Sequence, residues 1–460
     1  MARFKQDDVV TLTITDYGMD CEGIARIDEF VFFVPYTVKG ETVKAKITYV
    51  KKNLVFANLV EVIEPSSDRV KPLCNRFTRC GGCDCLHIDY NKQLEIKKNH
   101  VATLFKKNTN LDVTIDDVVP SKDILGYRNK IQLPFGTVNG KVAMGFFKTG
   151  THKIVSITKC FLHGEWVEKL ILCFVEYANK YNVSAYDEGT KKGILRHLVV
   201  RHVDNQYCIT VVTNNADLPN VKALINMITE AIGENFSLYI SKKKSHDNVI
   251  MGESVKVIKQ REFIVDILGI KLTLNPYSFL QLNDDVRDKI YSRVVEEITN
   301  ASGKKVAIDA YAGVGALGAV LAKNGVRVYN IEIVKEATED GILLAKNNGV
   351  EEYVTNVNGD ASKEIGKAID YALTLGADKP YIILDPPRKG CDERVINAIK
   401  NISTPHTIFY ISCNPATLTR DLNRLCIDNN YNIEYVTPYD MFPNTKHVES
   451  VVCLKRQIQQ

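Results

Sequence analysis

The chain has 460 residues, room for about three domains at roughly 150 residues each. Its 45% hydrophobic and 25% charged residues suit a soluble globular protein and exclude a collagen-like, disordered or coiled-coil chain; no apolar run nears the roughly 20 residues of a spanning helix, and residues 1–8 lack the apolar core of a signal peptide, so a cytoplasmic protein without a membrane partner is expected. The net charge is only +4, yet residues 65–160 carry 16 Lys and Arg against 8 Asp and Glu, a basic middle suited to a polyanionic partner.

From the N-terminus, residues 9–15, 30–34 and 43–50 are β-branched or aromatic with partial alternation, and Tyr17-Gly18 and Lys39-Gly40 supply turns. Several short strands within residues 1–62 predict a small OB-like barrel. Lys39, Lys44, Lys46, Lys51 and Lys52 cluster near its end. Residues 63–255 hold a cysteine cluster, a helical stretch over about 91–108 and then irregular strand-like segments, which predict a central α+β domain. The helical stretch can pack on the domain that follows. Residues 256–460 alternate strand and helix signals, the pattern of a doubly wound α/β sheet.

The 12 cysteines of a chain expected in the cytosol do not read as a disulfide framework. Cys74-x5-Cys80-Gly81-Gly82-Cys83 places three thiolates on one glycine-bent loop, and Cys160 is the candidate fourth ligand by position. Zinc could accept four sulfurs, but zinc ribbons usually present two short knuckles. One three-cysteine loop plus one distant cysteine suits an iron–sulfur cluster better. Cys85 is read as a buried bystander.

In the C-terminal half, residues 306–311 predict a buried parallel strand running into Gly313-Val314-Gly315-Ala316-Leu317-Gly318. These glycines allow a ligand to approach the backbone, and serve dinucleotides and S-adenosylmethionine alike. The next strand ends in Glu332, an acid placed for ribose hydroxyls. Residues 381–388 predict a buried strand ending in Asp385-Pro386-Pro387-Arg388, a motif that methyltransferases carry beside the transferring methyl and that a dehydrogenase has no need of. One more buried strand ends in Ser412-Cys413-Asn414-Pro415, at the same sheet edge.

Several of these segments carry a family resemblance. Glu22-Gly23-Ile24-Ala25-Arg26 and Phe33-Val34-Pro35 resemble the TRAM domain, a small RNA-binding barrel of RNA-modifying enzymes. The cysteine loop, followed by His87, Tyr90 and Gln93, resembles the [4Fe-4S] segment of the RumA-type rRNA uracil methyltransferases, with Leu86 where that family often has Gln. The run from Asn275 to Asn283, the glycine loop, Asp-Pro-Pro-Arg-Lys-Gly, Ser-Cys-Asn-Pro-Ala-Thr and Pro443-x-Thr445-x-His447-x-Glu449-Ser450 together resemble the uracil-5 RNA methyltransferases over essentially the whole chain.

The resemblance implies a Rossmann-like S-adenosylmethionine-dependent sheet at 256–460, behind a TRAM barrel at 1–62 and a central iron–sulfur domain at 63–255. It makes Cys413 the nucleophile and Glu449 the base. Gln281, Tyr311, Glu332 and Asp385 become contacts to S-adenosylmethionine, with Asp360 near the adenine. Cys74, Cys80, Cys83 and Cys160 become ligands of one [4Fe-4S] cluster. The implied substrate is a flipped-out uridine of 23S rRNA, at one or two sites, acted on by a monomer without an obligate protein partner. A tRNA uracil-5 methyltransferase and a non-catalytic RNA-binding iron–sulfur protein are the alternatives.

Overall fold

A computed structural model describes residues 3–148, 150–427 and 430–456. The N-terminal sheet holds β1 (Val9–Thr13), β2 (Asp16–Tyr17), β3 (Gly23–Ile27), β4 (Phe30–Val34), β5 (Thr42–Lys51) and β6 (Leu54–Glu64) in the order β1-β5-β6-β4-β3-β2. Alternation along β5 drives this curl: Val43, Ala45 and Ile47 point inward onto Phe32, Val34 and Val55, while the lysines between them face water. The strands expected at 30–34 and 43–50 are present.

Helix α1 (Tyr90–Asn108) starts at Asp89, whose carboxylate accepts the backbone N–H groups of Asn91 and Lys92. Its inward face does not serve the central sheet. Val101 and Phe105 join the core of the C-terminal sheet instead. That central sheet consists of β7 (Lys130–Val138), β8 (Lys141–Phe147), β9 (Ile154–Ser156), β10 (Leu195–Val203), β11 (Gln206–Thr213), β12 (Phe236–Lys242) and β13 (Ser254–Lys259), in the order β13-β12-β11-β10-β7-β8-β9. Helices α2 (Trp166–Lys180) and α3 (Val221–Ile232) pack on it. The expected border between residues 255 and 256 falls inside β13, which is hydrogen-bonded to β12 and belongs to the central sheet.

After a hairpin of β14 (Ile264–Ile267) and β15 (Ile270–Thr273), the C-terminal unit alternates helix and strand: α4 (Asp284–Asn300), β16 (Val306–Asp309), α5 (Ala316–Lys323), β17 (Arg327–Glu332), α6 (Lys335–Asn347), β18 (Val354–Asn358), α7 (Ala361–Thr374), β19 (Tyr381–Leu384), α8 (Glu393–Lys400), β20 (Thr407–Ser412) and α9 (Pro415–Cys426). It ends in an antiparallel pair, β21 (Tyr431–Tyr439) and β22 (Glu449–Arg456). The sheet order is β18-β17-β16-β19-β20-β22-β21, parallel up to β20 and antiparallel beyond. Strand order reverses between β16 and β19, so the crevice outside their C-terminal ends is where a ligand fits. Among the described residues no helix is long and apolar enough to cross a membrane.

Candidate active site

Four parallel strands deliver their last residues to one edge of the C-terminal sheet. β16 ends at Asp309 and β17 at Glu332; Asp385 follows β19 and Cys413 follows β20. Glu449 reaches the same edge because β22 runs antiparallel to β20, and Ser412 pairs with Ser450. Cys413 and Glu449, each one residue beyond that pair, come to the same sheet edge, close enough for the carboxyl to act on the thiol. Asn414 holds the turn after the cysteine: its side chain caps α9 by accepting from Ala416 N and donates to the Arg388 carbonyl at 3.0 Å. That bond ties the Cys413 turn to the Asp-Pro-Pro-Arg turn.

Glu449 is 2% exposed, and burial, then Asp385, push its carboxyl well above the usual range, with Arg388 opposing. Burial raises Asp385 to about 7, although it lines the open crevice and its side chain still meets solvent. Asp309 is buried and also rises to about 7, through burial first and Asp385 next. The Cys413 thiol is pushed up to about 11 by burial and Glu449, against the pull of Arg388. Tyr291 of α4 turns its hydroxyl toward Asp385 and Asp309, and burial beside these carboxyls raises it. A nearby cation would favour the ionised form of such carboxyls and offset the effect of burial. Sequence reasoning assigned no role to Asp309, Tyr291 or Arg388. A carboxylate closing an all-apolar strand was the available signal for Asp309, and Arg388 stood in a quoted motif; nothing in the α4 pattern marks Tyr291.

The glycine loop does two jobs. Gly313 has open space beside it, whereas a Cβ on Gly315 or Gly318 would strike the Asn330 side chain at 2.6 or 2.4 Å. The last two glycines therefore let α5 pack against β17, and the first leaves room for a ligand. Glu332 accepts Gly313 N at 2.9 Å and Val334 N at 2.8 Å, which aims the acid across the loop. Asp360 caps α7 through Ser362, which holds its carboxyl below the usual range, and Arg394 stands 3.7 Å away. The Tyr311 hydroxyl lies against the Cys391 thiol. Gln281 precedes α4 with its carbonyl held by Asn129 Nδ2 at 2.8 Å.

Cys74, Cys80, Cys83 and Cys160 line one pocket, with Arg128 and the apolar Phe77, Leu86, Phe146 and Ile157. Backbone N–H groups of Gly82 and Leu162 point at the Cys80 and Cys160 sulfurs. Burial and the neighbouring thiols push Cys83 far up and Cys160 to about 11, with Arg128 opposing both. Among the described residues no group of three or more His, Cys, Asp or Glu stands close enough to hold a single metal ion. The four cysteines expected to bind a cluster therefore share a pocket but form no metal site among the described residues. Cys85 is fully buried beside Cys21, away from that pocket.

A cleft of about 840 Å³ runs from this loop to the barrel, with Arg388, Phe442, Lys446 and His447 on one wall and Phe33 and Phe56 on the other. Phe33 pairs with Phe56 and Phe56 with Tyr49 across β4, β6 and β5, placing three rings in one row. Phe33 and Phe56 stack at 5.3 Å and 18°, and Tyr49 is 56% exposed.

Comparison with known proteins gives one consistent result. The tRNA (Uracil-5-)-methyltransferase family model matches residues 89–457, and the TRAM domain model matches residues 3–60. An uncharacterized RNA methyltransferase of Clostridium acetobutylicum is 37% identical over 460 residues, covering 98% of each chain. Another, from Halalkalibacterium halodurans, is 36% identical over 458 residues, covering 99% of this chain and 98% of its own. The tRNA (uracil-54, C5)-methyltransferase of Pyrococcus abyssi, solved in complex with S-adenosyl-L-homocysteine, superposes with a TM-score of 0.75 at 25% identity, over 96% of this chain and 99% of that one.

Proposed function

The chain belongs to the tRNA (uracil-5-)-methyltransferase family, and on that premise we propose that it methylates carbon 5 of a uridine in 23S ribosomal RNA, with Cys413 as nucleophile and Glu449 as base. The observation that supports this reading is the Ser412–Ser450 register, which brings the thiol and the carboxyl to one sheet edge near Asp385.

Carbon 5 of uracil is a weak nucleophile. The Cys413 thiolate adds to carbon 6, and the ring becomes an enolate whose carbon 5 takes the sulfonium methyl of S-adenosylmethionine, releasing S-adenosylhomocysteine. Glu449 then removes the carbon 5 proton; the carbon 5–carbon 6 double bond re-forms, the carbon–sulfur bond breaks and the thiolate returns. The raised affinity of Glu449 for a proton suits this step. Arg388 favours the charged forms of both groups, and the sulfonium of the methyl donor acts in the same direction. Gln281, Tyr311, Glu332, Asp360 and Asp385 form the cradle for S-adenosylmethionine.

We assign Cys74, Cys80, Cys83 and Cys160 to one [4Fe-4S] cluster of structural role, supported by their shared pocket, the two N–H groups aimed at sulfur and the nearby Arg128 guanidinium. On this reading the N-terminal barrel, the central part with the cysteine loop and the C-terminal unit divide the work: RNA holding, cluster binding and methyl transfer. The uridine enters flipped out of its stack, and the enzyme acts as a single cytoplasmic chain.

A second reading is a tRNA uracil-5 methyltransferase. The cysteine segment and barrel together favour rRNA against the bacterial tRNA enzymes, but the likeness to an archaeal tRNA enzyme extends over 96% of this chain. Methyl transfer from labelled S-adenosylmethionine to 23S rRNA and to tRNA, read as 5-methyluridine, decides between them. Label in 23S rRNA is expected. Label in tRNA alone would replace the substrate, and label in neither would remove the activity.

A further inference from the structure

His87, Tyr90 and Gln93 follow the cysteine loop, and the reaction as written uses none of them. The structure shows what they touch. Gln93 is 2% exposed on the first turn of α1. Its Oε1 accepts Asn444 N at 3.0 Å, and its Nε2 donates to Asn444 Oδ1 at 3.2 Å and to the Ile88 carbonyl at 2.9 Å. Asn444 is 3% exposed with φ of 65°, the left-handed region that asparagine tolerates better than most residues. Its Nδ2 donates to the Ile124 carbonyl at 2.7 Å, and its own carbonyl accepts from Asp84 N and Cys85 N, both at 3.1 Å. Every polar atom of Asn444 is therefore used, and most partners come from the cysteine loop and α1.

The grip continues on both sides of this residue. One turn along α1, buried Lys97 pairs with buried Asp440 and donates to the Phe442 carbonyl at 3.0 Å. Tyr127 donates its hydroxyl to the Pro443 carbonyl at 3.0 Å, and Lys446 N donates to Asp84 Oδ2 at 3.0 Å. Tyr90 stands against Asp440, and His87 reaches the Thr37 carbonyl of the barrel at 3.4 Å. Residues 440–448 lie between β21 and β22, outside any ladder, and Glu449 is the first residue of β22. The ladders with β20 and β21 hold β22 itself, Glu449 pairing with Tyr439, and these anchors hold the loop that leads into it.

We propose that Gln93 and Asn444 are positioning residues for the base, so that the cysteine loop and α1 hold Glu449 at the distance needed to take the carbon 5 proton. This rests on the reading of Glu449 as base. Misplacing a reacting group by about 1 Å costs on the order of 100-fold, and Cys413 lies in the turn after β20, outside the 440–448 loop that these anchors hold. Only the last step should suffer.

The experiment is rapid-quench kinetics on the full-length holoprotein with labelled S-adenosylmethionine and 23S rRNA, resolving the methylated protein–RNA adduct from released product. Gln93→Leu keeps the bulk and removes the amide; Asn444→Gly keeps the left-handed backbone and removes the side chain. Expected for either variant that folds is adduct formation at the native rate, release slowed about 10- to 100-fold, and unchanged affinity for S-adenosylmethionine and RNA. Adduct formation and release falling by the same factor would reduce the pair to general scaffold and overturn the proposal. So would native release in both variants. Glu449→Gln is the control: if it does not stall, the reading of the base fails; if it stalls and the two variants do not, the positioning inference fails alone.

Discussion

Asp309, Asp385 and Glu449 come to one sheet edge, and each holds its proton more tightly than a free carboxyl. The sign follows from linkage. A carboxyl raised in the folded state adds stability below its unfolded value and loses it as pH climbs through the folded value, here about 7 for Asp309 and Asp385. A bound cation reverses this, because it favours the ionised carboxyls. Affinity for S-adenosylmethionine should therefore rise with pH up to about 7, by about tenfold per pH unit for each proton released, and level off above. S-adenosylhomocysteine lacks the sulfonium charge and should change much less. Calorimetric titration of both ligands from pH 5.5 to 8.5 checks this; equal pH profiles would count against the carboxyls as the sulfonium's neighbours. Cys413 and Glu449 were marked as candidates in the sequence by the motifs they share with the uracil-5 RNA methyltransferases, one after a buried strand and the other in a patterned loop. Tyr291 was not, since a tyrosine on the inward face of a helix looks like any core residue.

At the scale of elements, the cysteine loop and α1 belong by sequence to the middle of the chain, yet much of their contact is with the C-terminal unit. Val101 and Phe105 sit in its core, and Asp84 and Cys85 bind Asn444. Cys80→Ser should lose iron, whereas Cys85→Ser should keep it, because Cys85 packs against Cys21 away from the four-cysteine pocket. Metal analysis of anaerobically purified protein should give about four irons per chain; stoichiometric zinc without iron would contradict the cluster. The barrel strands were legible because β5 alternates over its first half, with Val43, Ala45 and Ile47 in and Lys44 and Lys46 out. The central sheet was not. β10 and β11 are buried on both faces, which erases the two-residue period, and a bulge between Leu195 and His197 breaks what remains.

In the whole molecule, the barrel and the transferase edge face each other across the cleft that holds Phe33, Phe56, Arg388 and His447. Three rings in a row are a stacking surface for unpaired bases, worth about 1–3 kcal/mol per base. Tyr49→Ala removes the most exposed ring without opening the barrel core, and should weaken RNA binding by about 10- to 100-fold while leaving S-adenosylmethionine affinity unchanged. Filter binding with single-stranded RNA measures this, and an unchanged affinity would place the RNA elsewhere. On the proposed mechanism these contacts serve one covalent sequence, in which Cys413 opens the reaction and Glu449 closes it. The most direct test incubates Cys413→Ala and Glu449→Gln with end-labelled 23S rRNA fragments and S-adenosylmethionine, then runs denaturing gels. Glu449→Gln should trap a methyl-bearing protein–RNA band and Cys413→Ala none. Methylated RNA released by Glu449→Gln at the native rate, or an adduct formed without Cys413, would contradict the assignment.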